Sequence, residues 1–298
     1  VMTLEQLRVF ATVADLLHMT RAAQRLHMTQ SAVSASVAAL EATCGVPLFH
    51  RVGRRIELTA AGRAFLPEAR AILDRVTVAE TVLADVSGLR RGRLRLHASQ
   101  TIANYWLGPL LHRFHALYPE IALEVAIGNS TQVTAAVTEG EADLGFVEGA
   151  VDALLLAKIA VPGDRLVMVV ARDHPFGHGQ VRAQYILDVP FVLREEGSGT
   201  RQVFEEGLAA HGIDPALLKV ALKLPSNEAV ISAVAAGAGA TVISELAAAA
   251  GLAAGALRQI PLTFPQRRFY VLRHADRYQS KAEQALLALV RGGAKPGA

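Results

Sequence analysis

Four polar clusters in this chain have residue types suited to holding a small anion. Ser99-Gln100-Thr101, Asn129-Ser130-Thr131 and Ser198-Gly199-Thr200 each stand between an apolar strand-like run and a helical run, and Asn227 marks a fourth such junction. A helix start offers unpaired N–H groups and the positive end of the helix dipole, so it attracts negative charge. Hydroxyls add donors, and glycine lets the backbone approach closely. Ser, Thr and Asn are also the preferred helix caps. Each cluster taken singly therefore reads first as a cap, and only convergence on one cleft makes a site of them. Arg201 is either a counter-ion to that site or an outward-pointing helix residue.

A second constellation has residue types that read nucleic acid. Thr29, Gln30, Ser31 and Ser34 open a helix with a small polar face. Small side chains there let a helix sink into a major groove, where Gln30 reaches a base edge and the hydroxyls reach bases or phosphates. Arg51, Arg54 and Arg55 surround Gly53 between two short strand-like runs, the pattern of a basic hairpin whose arginines suit phosphates or a minor groove. The plainer reading is a three-helix cluster with solvated serines and a solvated charge run. The neighbouring hairpin tilts the choice towards DNA.

No nucleophile–base set stands out. The ten histidines are scattered, and His112 and His115 flank Phe114 with no metal-ligand spacing nearby, so they read as surface. His174 and His178 bracket a Pro-Phe-Gly turn, and Asp143 and Glu148 flank a strand without a paired acid. The single cysteine, Cys44, excludes a disulfide framework and a multi-cysteine zinc site and reads as a small buried thiol. The expectation is a non-enzyme with no cofactor and no metal.

The elements that must position these residues fit within 298 residues, enough for about two domains. A 52% hydrophobic content and mean hydropathy of +0.30 exclude a disordered chain. The formal charge of +3 conceals an asymmetry: residues 51–95 hold ten arginines against five acids, a local +5. No leader is visible, and the uncharged Ala229–Ser244 stretch is too short for a membrane span, so it reads as a buried helix and strand.

Apolar spacing predicts helices over about 4–17, 21–26 (capped by Thr20) and 30–42, a helix-turn-helix plan, followed by the hairpin. Thr59 caps a helix to about Val86. In it Phe65, Ala69, Ile72, Val76, Ala79, Leu83 and Val86 fall at alternating four- and three-residue spacing, the seam of a coiled coil or of one amphipathic helix. Arg90-Arg91-Gly92-Arg93 makes a basic hinge. From Leu94 the pattern is strand–helix–strand, including one helix from Ser99 to about Leu117 and a strand from Arg165 to Ala171. The segments ALEVAIGNSTQVTAAVTEGEADLGFVEG and ALKLPSNEAVISAVAAGAGATVISE align as an internal repeat, which argues for two similar α/β lobes. In such sheets a ligand lies at the carboxyl ends of the strands.

The runs MTLEQLRVFATVAD, MTRAAQRLHMTQSAVSASVAALEATCGVPLFHR and LTAAGRAF resemble the N-terminal domain of LysR-type transcriptional regulators without a gap over about residues 2–66. The ordered motif A-A-x-x-L-x-x-(T/S)-Q-S-A-V-S, then L-E, L-F-x-R and L-T-x-A-G, is far more specific than a helix-turn-helix pattern alone. The resemblance implies an α/β chain with a winged helix-turn-helix over 1–59 and a dimerising linker helix over 60–89. A two-lobed, periplasmic-binding-protein-like effector domain would fill 90–298, with lobe I at 92–161 plus 267–298 and lobe II at 162–266. It implies a cytoplasmic protein whose partners are double-stranded promoter DNA, a small-molecule effector, RNA polymerase and other copies of itself, as a dimer or a homotetramer built as a dimer of dimers, without a membrane. The E-E-G-S-G-T-R stretch resembles regulators of sulfur-assimilation and carbon-fixation genes, which implies a small anionic effector such as sulfate, sulfite or an organic acid. The competing readings are a solute-binding protein with an added module and an enzyme on an α/β scaffold.

Overall fold

A computed structural model describes residues 1–292 apart from 53–54, 87–91, 150, 176–182, 263 and 265, and apart from the side chains of 51, 52, 84 and 183–185. Arg54, the Arg51 side chain, the hinge residues Arg90 and Arg91, and His178 thus lie outside the described residues. The chain divides into two compact units, Val1–Val86 and Ser87–Ala298.

In the first unit, α1 (Leu4–Leu16) starts on a capping box between Thr3 and Gln6 and buries Leu7, Val9, Phe10 and Val13 on one face. Helix α2 (Met19–Leu26) begins two residues earlier than the spacing predicts. Its cap is His18, whose Nδ1 accepts from the Arg21 N–H at 3.3 Å, and not Thr20. The turns on either side are tight because Leu17 and His27 both adopt left-handed backbone, at φ 46° and 54°. Helix α3 (Gln30–Cys44) runs two residues beyond the expected end and stops at Gly45, whose φ of 71° suits glycine. Cys44 is therefore in the last turn and half-buried, not fully buried.

The hairpin is β1 (Phe49–Val52) against β2 (Arg55–Leu58), antiparallel, with Phe49 opposite Leu58. Helix α4 (Ala60–Val86) follows. Thr59 joins the two: its hydroxyl donates to the Pro47 carbonyl at 2.7 Å and accepts from the Gly62 N–H at 3.0 Å. A Cβ on Gly62 would lie 2.1 Å from the Leu48 carbonyl oxygen, so helix and hairpin loop meet too closely for any other residue. The seam on α4 divides. Ala69 is buried and Phe65 packs beside Leu7, Phe10, Leu40 and Leu48, whereas Leu83 and Val86 are 72% and 81% exposed.

The second unit is mixed α/β. Its first lobe orders the strands β4-β3-β5-β11-β6: β3 (Gly92–Ser99), β4 (Ile121–Gly128) and β5 (Leu144–Glu148) are parallel, and β11 (Gln266–His274) and β6 (Leu156–Ala171) run antiparallel. Helices α5 (Gln100–Tyr105), α6 (Gly108–Leu117), α7 (Ser130–Glu139) and α11 (Lys281–Gly292) belong to it. The expected continuous helix to Leu117 is broken, because Trp106 turns in towards Phe146 and Phe269 and Pro109 has no N–H for a continuing ladder.

The second lobe repeats this order. Strands β7 (Phe191–Arg194) and β8 (Val220–Leu224) are parallel, and Phe191 bridges to Ala240 beside β9 (Thr241–Ser244). Strand β9 pairs with β6, and β6 with β10 (Leu257–Ile260), giving β8-β7-β9-β6-β10. Helices α8 (Gly199–Ala210), α9 (Asn227–Ala235) and α10 (Glu245–Ala253) complete it. The apolar Ala229–Ser244 stretch is thus helix α9 and strand β9, as expected. Among the described residues no helix is long and apolar enough to cross a membrane.

Strand β6 serves both lobes. It pairs with β11 from Leu156 to Arg165 and with β9 and β10 from Leu166 onward. Its first half went unread because Pro162 and Gly163 look like breakers. Here Pro162 faces Arg268 beside a bulge on β11, the kind of site where a strand tolerates proline.

Candidate effector cleft and DNA-reading face

The residues chosen from the second unit gather along the boundary of its two lobes. Ser99 caps α5, Asn129 caps α7, Ser198 caps α8 and Ser226 caps α9. Asn227 is consequently the first helical residue rather than a cap, which leaves its side chain for other partners. Ser99, Thr101, Ser130, Ser198, Thr200 and Asn227 are all buried.

Three of them meet directly across the lobes. The Asn227 amide donates to Thr101 Oγ1 at 3.2 Å, and Thr101 Oγ1 lies 3.5 Å from Thr200 Oγ1. Gln100 reaches from lobe I to lobe II twice, donating to the Pro225 carbonyl at 2.7 Å and accepting from the Asn227 N–H at 3.1 Å. Asn129 and Thr131 are not in this buried group. They join the lip, where the Asn129 amide donates to the Glu196 carbonyl at 3.3 Å and the Thr131 N–H to that of Gly197 at 3.3 Å. Ser130 Oγ lies 3.5 Å from the Glu148 carbonyl, and a Cβ on Gly199 would come within 2.3 Å of that same oxygen. Gly199 thus permits the first turn of α8 to press on the end of β5.

Five charged residues complete the cluster, and none of them is among the effector-binding residues that the sequence suggests. Thr200 Oγ1 donates to Glu148 Oε1 at 3.1 Å and accepts from Arg267 Nη1 at 3.1 Å. Arg267 forks onto Asp164, which also accepts from Ser244. Arg194 holds Asn227 Oδ1 and pairs with Glu195 through Nε at 2.8 Å and Nη2 at 2.9 Å. Glu148 was visible in principle: it ends a strand just before Gly149, and the rule that put Ser99 and Ser198 at strand ends applies equally to β5. Asp164 and Arg267 were not, because they sit inside long strands. Arg201 is neither an outward-pointing helix residue nor turned onto this cluster: it is largely buried, paired with Glu205 at 2.6 Å and donating to the Arg194 carbonyl at 3.4 Å.

A latch lies beside the cluster. Asn104 and Tyr105 both donate to Glu228 Oε1, at 3.0 and 2.8 Å. Burial, aided by Glu228, pushes the Tyr105 phenol up to about 12, so it remains a donor at neutral pH. Burial alone would raise Glu228. The hydrogen bonds from its own backbone, Tyr105 and Asn104, with the Arg194 charge, outweigh that and hold it below its ordinary value.

In the first unit the DNA-reading candidates of α3 share its first turns. Thr29 caps α3, and Thr29, Gln30 and Ser31 are exposed while Ser34 is half-buried. Gln30 donates to Ser34 Oγ at 3.2 Å and Thr29 Oγ1 is 3.0 Å from Ser31 Oγ. Arg55 is exposed on β2. Glu41 ties this helix to the hairpin, accepting from the Leu48 and Phe49 N–H groups at 2.7 and 3.0 Å.

The chain matches the bacterial regulatory helix-turn-helix protein of the lysR family over residues 4–63 and the LysR substrate binding domain over 87–295. It belongs to the LysR family of transcriptional regulators, DNA-binding proteins with an effector-binding domain. Over 287 residues it is 33% identical to the "Uncharacterized HTH-type transcriptional regulator YeiE" of Escherichia coli K12, covering 96% of each chain. It is 34% identical to the RuBisCO operon transcriptional regulator of Acidithiobacillus ferrooxidans, covering 96% of this chain and 92% of that one. Its second unit is similar to the regulatory domain of Synechocystis PCC6803 CcmR, solved in complex with 2-PG. That match has a TM-score of 0.62 and 30% identity, and covers 69% of this chain and 98% of the other.

Proposed function

We propose that this regulator is switched by a small anionic metabolite held between the two lobes of residues 87–298. The observation that carries the reading is the meeting of Thr101, Thr200 and Asn227, three buried polar side chains from both lobes on one point. The first turns of α7, α8 and α9 supply further donors, and Ser99, Gln100, Ser130, Ser198 and Gly199 line the approach, with Asn129 and Thr131 at the lip. The complex of the related CcmR domain with 2-PG supports a small effector in this part of the family.

In the first unit, Gln30, Ser31 and Ser34 read bases or nearby phosphates, Thr29 caps the reading helix, and Arg51, Arg54 and Arg55 bind backbone or minor groove. The exposed seam residues of α4 pair with a second copy, which would set two reading helices on a two-fold site. An effector that prefers one lobe arrangement shifts the population towards it, and one without a preference shifts nothing. The role is regulatory rather than catalytic, and turnover of a bound ligand would contradict it.

The direct experiment is a thermal-shift titration with inorganic phosphate, sulfate and sulfite on the full chain, since a ligand bound only by the folded state raises Tm. At least one should raise it for the wild type and not for Thr200→Ala, which keeps its affinity for DNA. Equal shifts in both proteins would place the site elsewhere.

A further inference from the structure

Glu148 is the one acid of the cluster that no arginine holds: Asp164 is taken by Arg267 and Glu195 by Arg194. Its side chain is 2% exposed, and its Oε1 accepts from Thr200 in the first turn of α8. Among the described residues, its Oε2 is the one buried side-chain nitrogen or oxygen with no hydrogen-bond partner. An ionised carboxylate only accepts hydrogen bonds. Neither arginine of the cluster pairs with it directly: Arg267 is forked onto Asp164 and Arg194 onto Glu195. Arg267 reaches the site only through one nitrogen on Thr200. A buried acceptor left unmatched is costly, and native structures rarely keep one without a purpose.

We infer that Glu148 Oε2 is a specificity-determining acceptor, selecting an anion that keeps a proton on the oxygen facing it and rejecting one with no proton to give. The inference rests on the anionic-effector reading above and narrows it. Helix starts and hydroxyls attract any small oxyanion, so they do not separate hydrogenphosphate from sulfate, which share size and shape. A fixed carboxylate does: it gains a charge-assisted hydrogen bond from the protonated anion and meets only like charge in the aprotic one. A site built around a buried hydrogen-bonding group rejects a ligand that leaves that group unpaired.

The test is isothermal titration of the full chain with inorganic phosphate and with sulfate at pH 7.5, where phosphate retains a proton and sulfate has none. Wild type should bind phosphate at least about tenfold more tightly than sulfate. Glu148→Gln, which matches the shape and can donate, should erase or reverse that ratio while melting as cooperatively as the wild type. Sulfate binding as tight as phosphate in the wild type overturns the inference and leaves the anion reading standing. So does an unchanged ratio in Glu148→Gln. If neither anion binds the wild type, the inference falls, and the anion reading is then decided by the sulfite arm of the thermal-shift titration. The wild-type ratio decides even where the variant does not fold.

Discussion

Single residues show how much of this protein is local chemistry with a distant purpose. Glu41 belongs to a two-residue motif that marks the family, yet its work is visible only in three dimensions: one carboxylate oxygen holds the N–H groups of Leu48 and Phe49 as the chain turns into the hairpin. Glu41→Ala would leave two donors without that partner and should lower stability by roughly 1–3 kcal/mol in urea unfolding. A loss below a few tenths would show that water replaces the carboxylate freely. Arg55 is exposed at the hairpin and suits a phosphate. Arg55→Ala should weaken binding to all duplexes alike and reduce the salt slope by about 1. A change confined to one base position would mean that it reads sequence instead. The polar residues of the cleft were legible because hydroxyls beside glycine at strand ends are conspicuous. Glu148 is conspicuous in the sequence only as an acid at a strand end without a paired acid, and an acid there usually faces water, so its place in the cleft is legible only in the fold.

At the scale of elements, the repeat within the second unit was readable and its consequences were not. Aligned segments gave β4-α7-β5 and β8-α9-β9, and the strand orders of the two lobes correspond. The first half of β6 was missed, since Pro162 and Gly163 argue locally against a strand that only its partner β11 stabilises. Helix α10 and strand β10 were also missed: the run of alanines has little periodicity, and β10 has only four residues. The C-terminal helix α11 gives a pH prediction. Ser280 and Glu283 form a reciprocal cap, with Ser280 Oγ donating to Glu283 Oε1 at 3.1 Å and accepting from the Glu283 N–H at 3.1 Å. Burial, reinforced by Asp143, pushes Glu283 up to about 7 against the pull of Ser280 and Arg273. The folded state therefore keeps a proton that the unfolded chain releases. The stability tied to that proton is whole below about 4.5 and is lost as pH rises to about 7. Glu283→Gln should flatten this slope, a difference on the order of 3 kcal/mol between pH 4 and 8. An unchanged pH profile would show Glu283 to be ionised in the fold.

At the scale of the molecule, the lobes of the second unit are joined by strands rather than by loops. Strand β6 passes from one lobe to the other, and β11 begins at the same level. Arg267 and Asp164 sit at that passage, and Arg267 touches Thr200 in the cleft. Cleft occupancy and lobe orientation thus share one buried network, the contiguity that a population shift needs if the effector is to prefer one state. The charge asymmetry is partly absorbed within the fold: of the ten arginines in residues 51–95, Arg70 and Arg95 are paired with Asp15 and Asp143, while Arg55 is exposed on the hairpin. The central claim is that anion binding in the cleft alters DNA binding by this same chain. Its most direct test is quantitative footprinting on duplexes that the wild type selects from a random library, at fixed ionic strength, with and without inorganic phosphate. The protected region or its affinity should change on adding phosphate for the wild type and stay constant for Thr200→Ala, which still binds the duplex. Identical footprints with and without phosphate, under conditions where titration shows the cleft occupied, would contradict it.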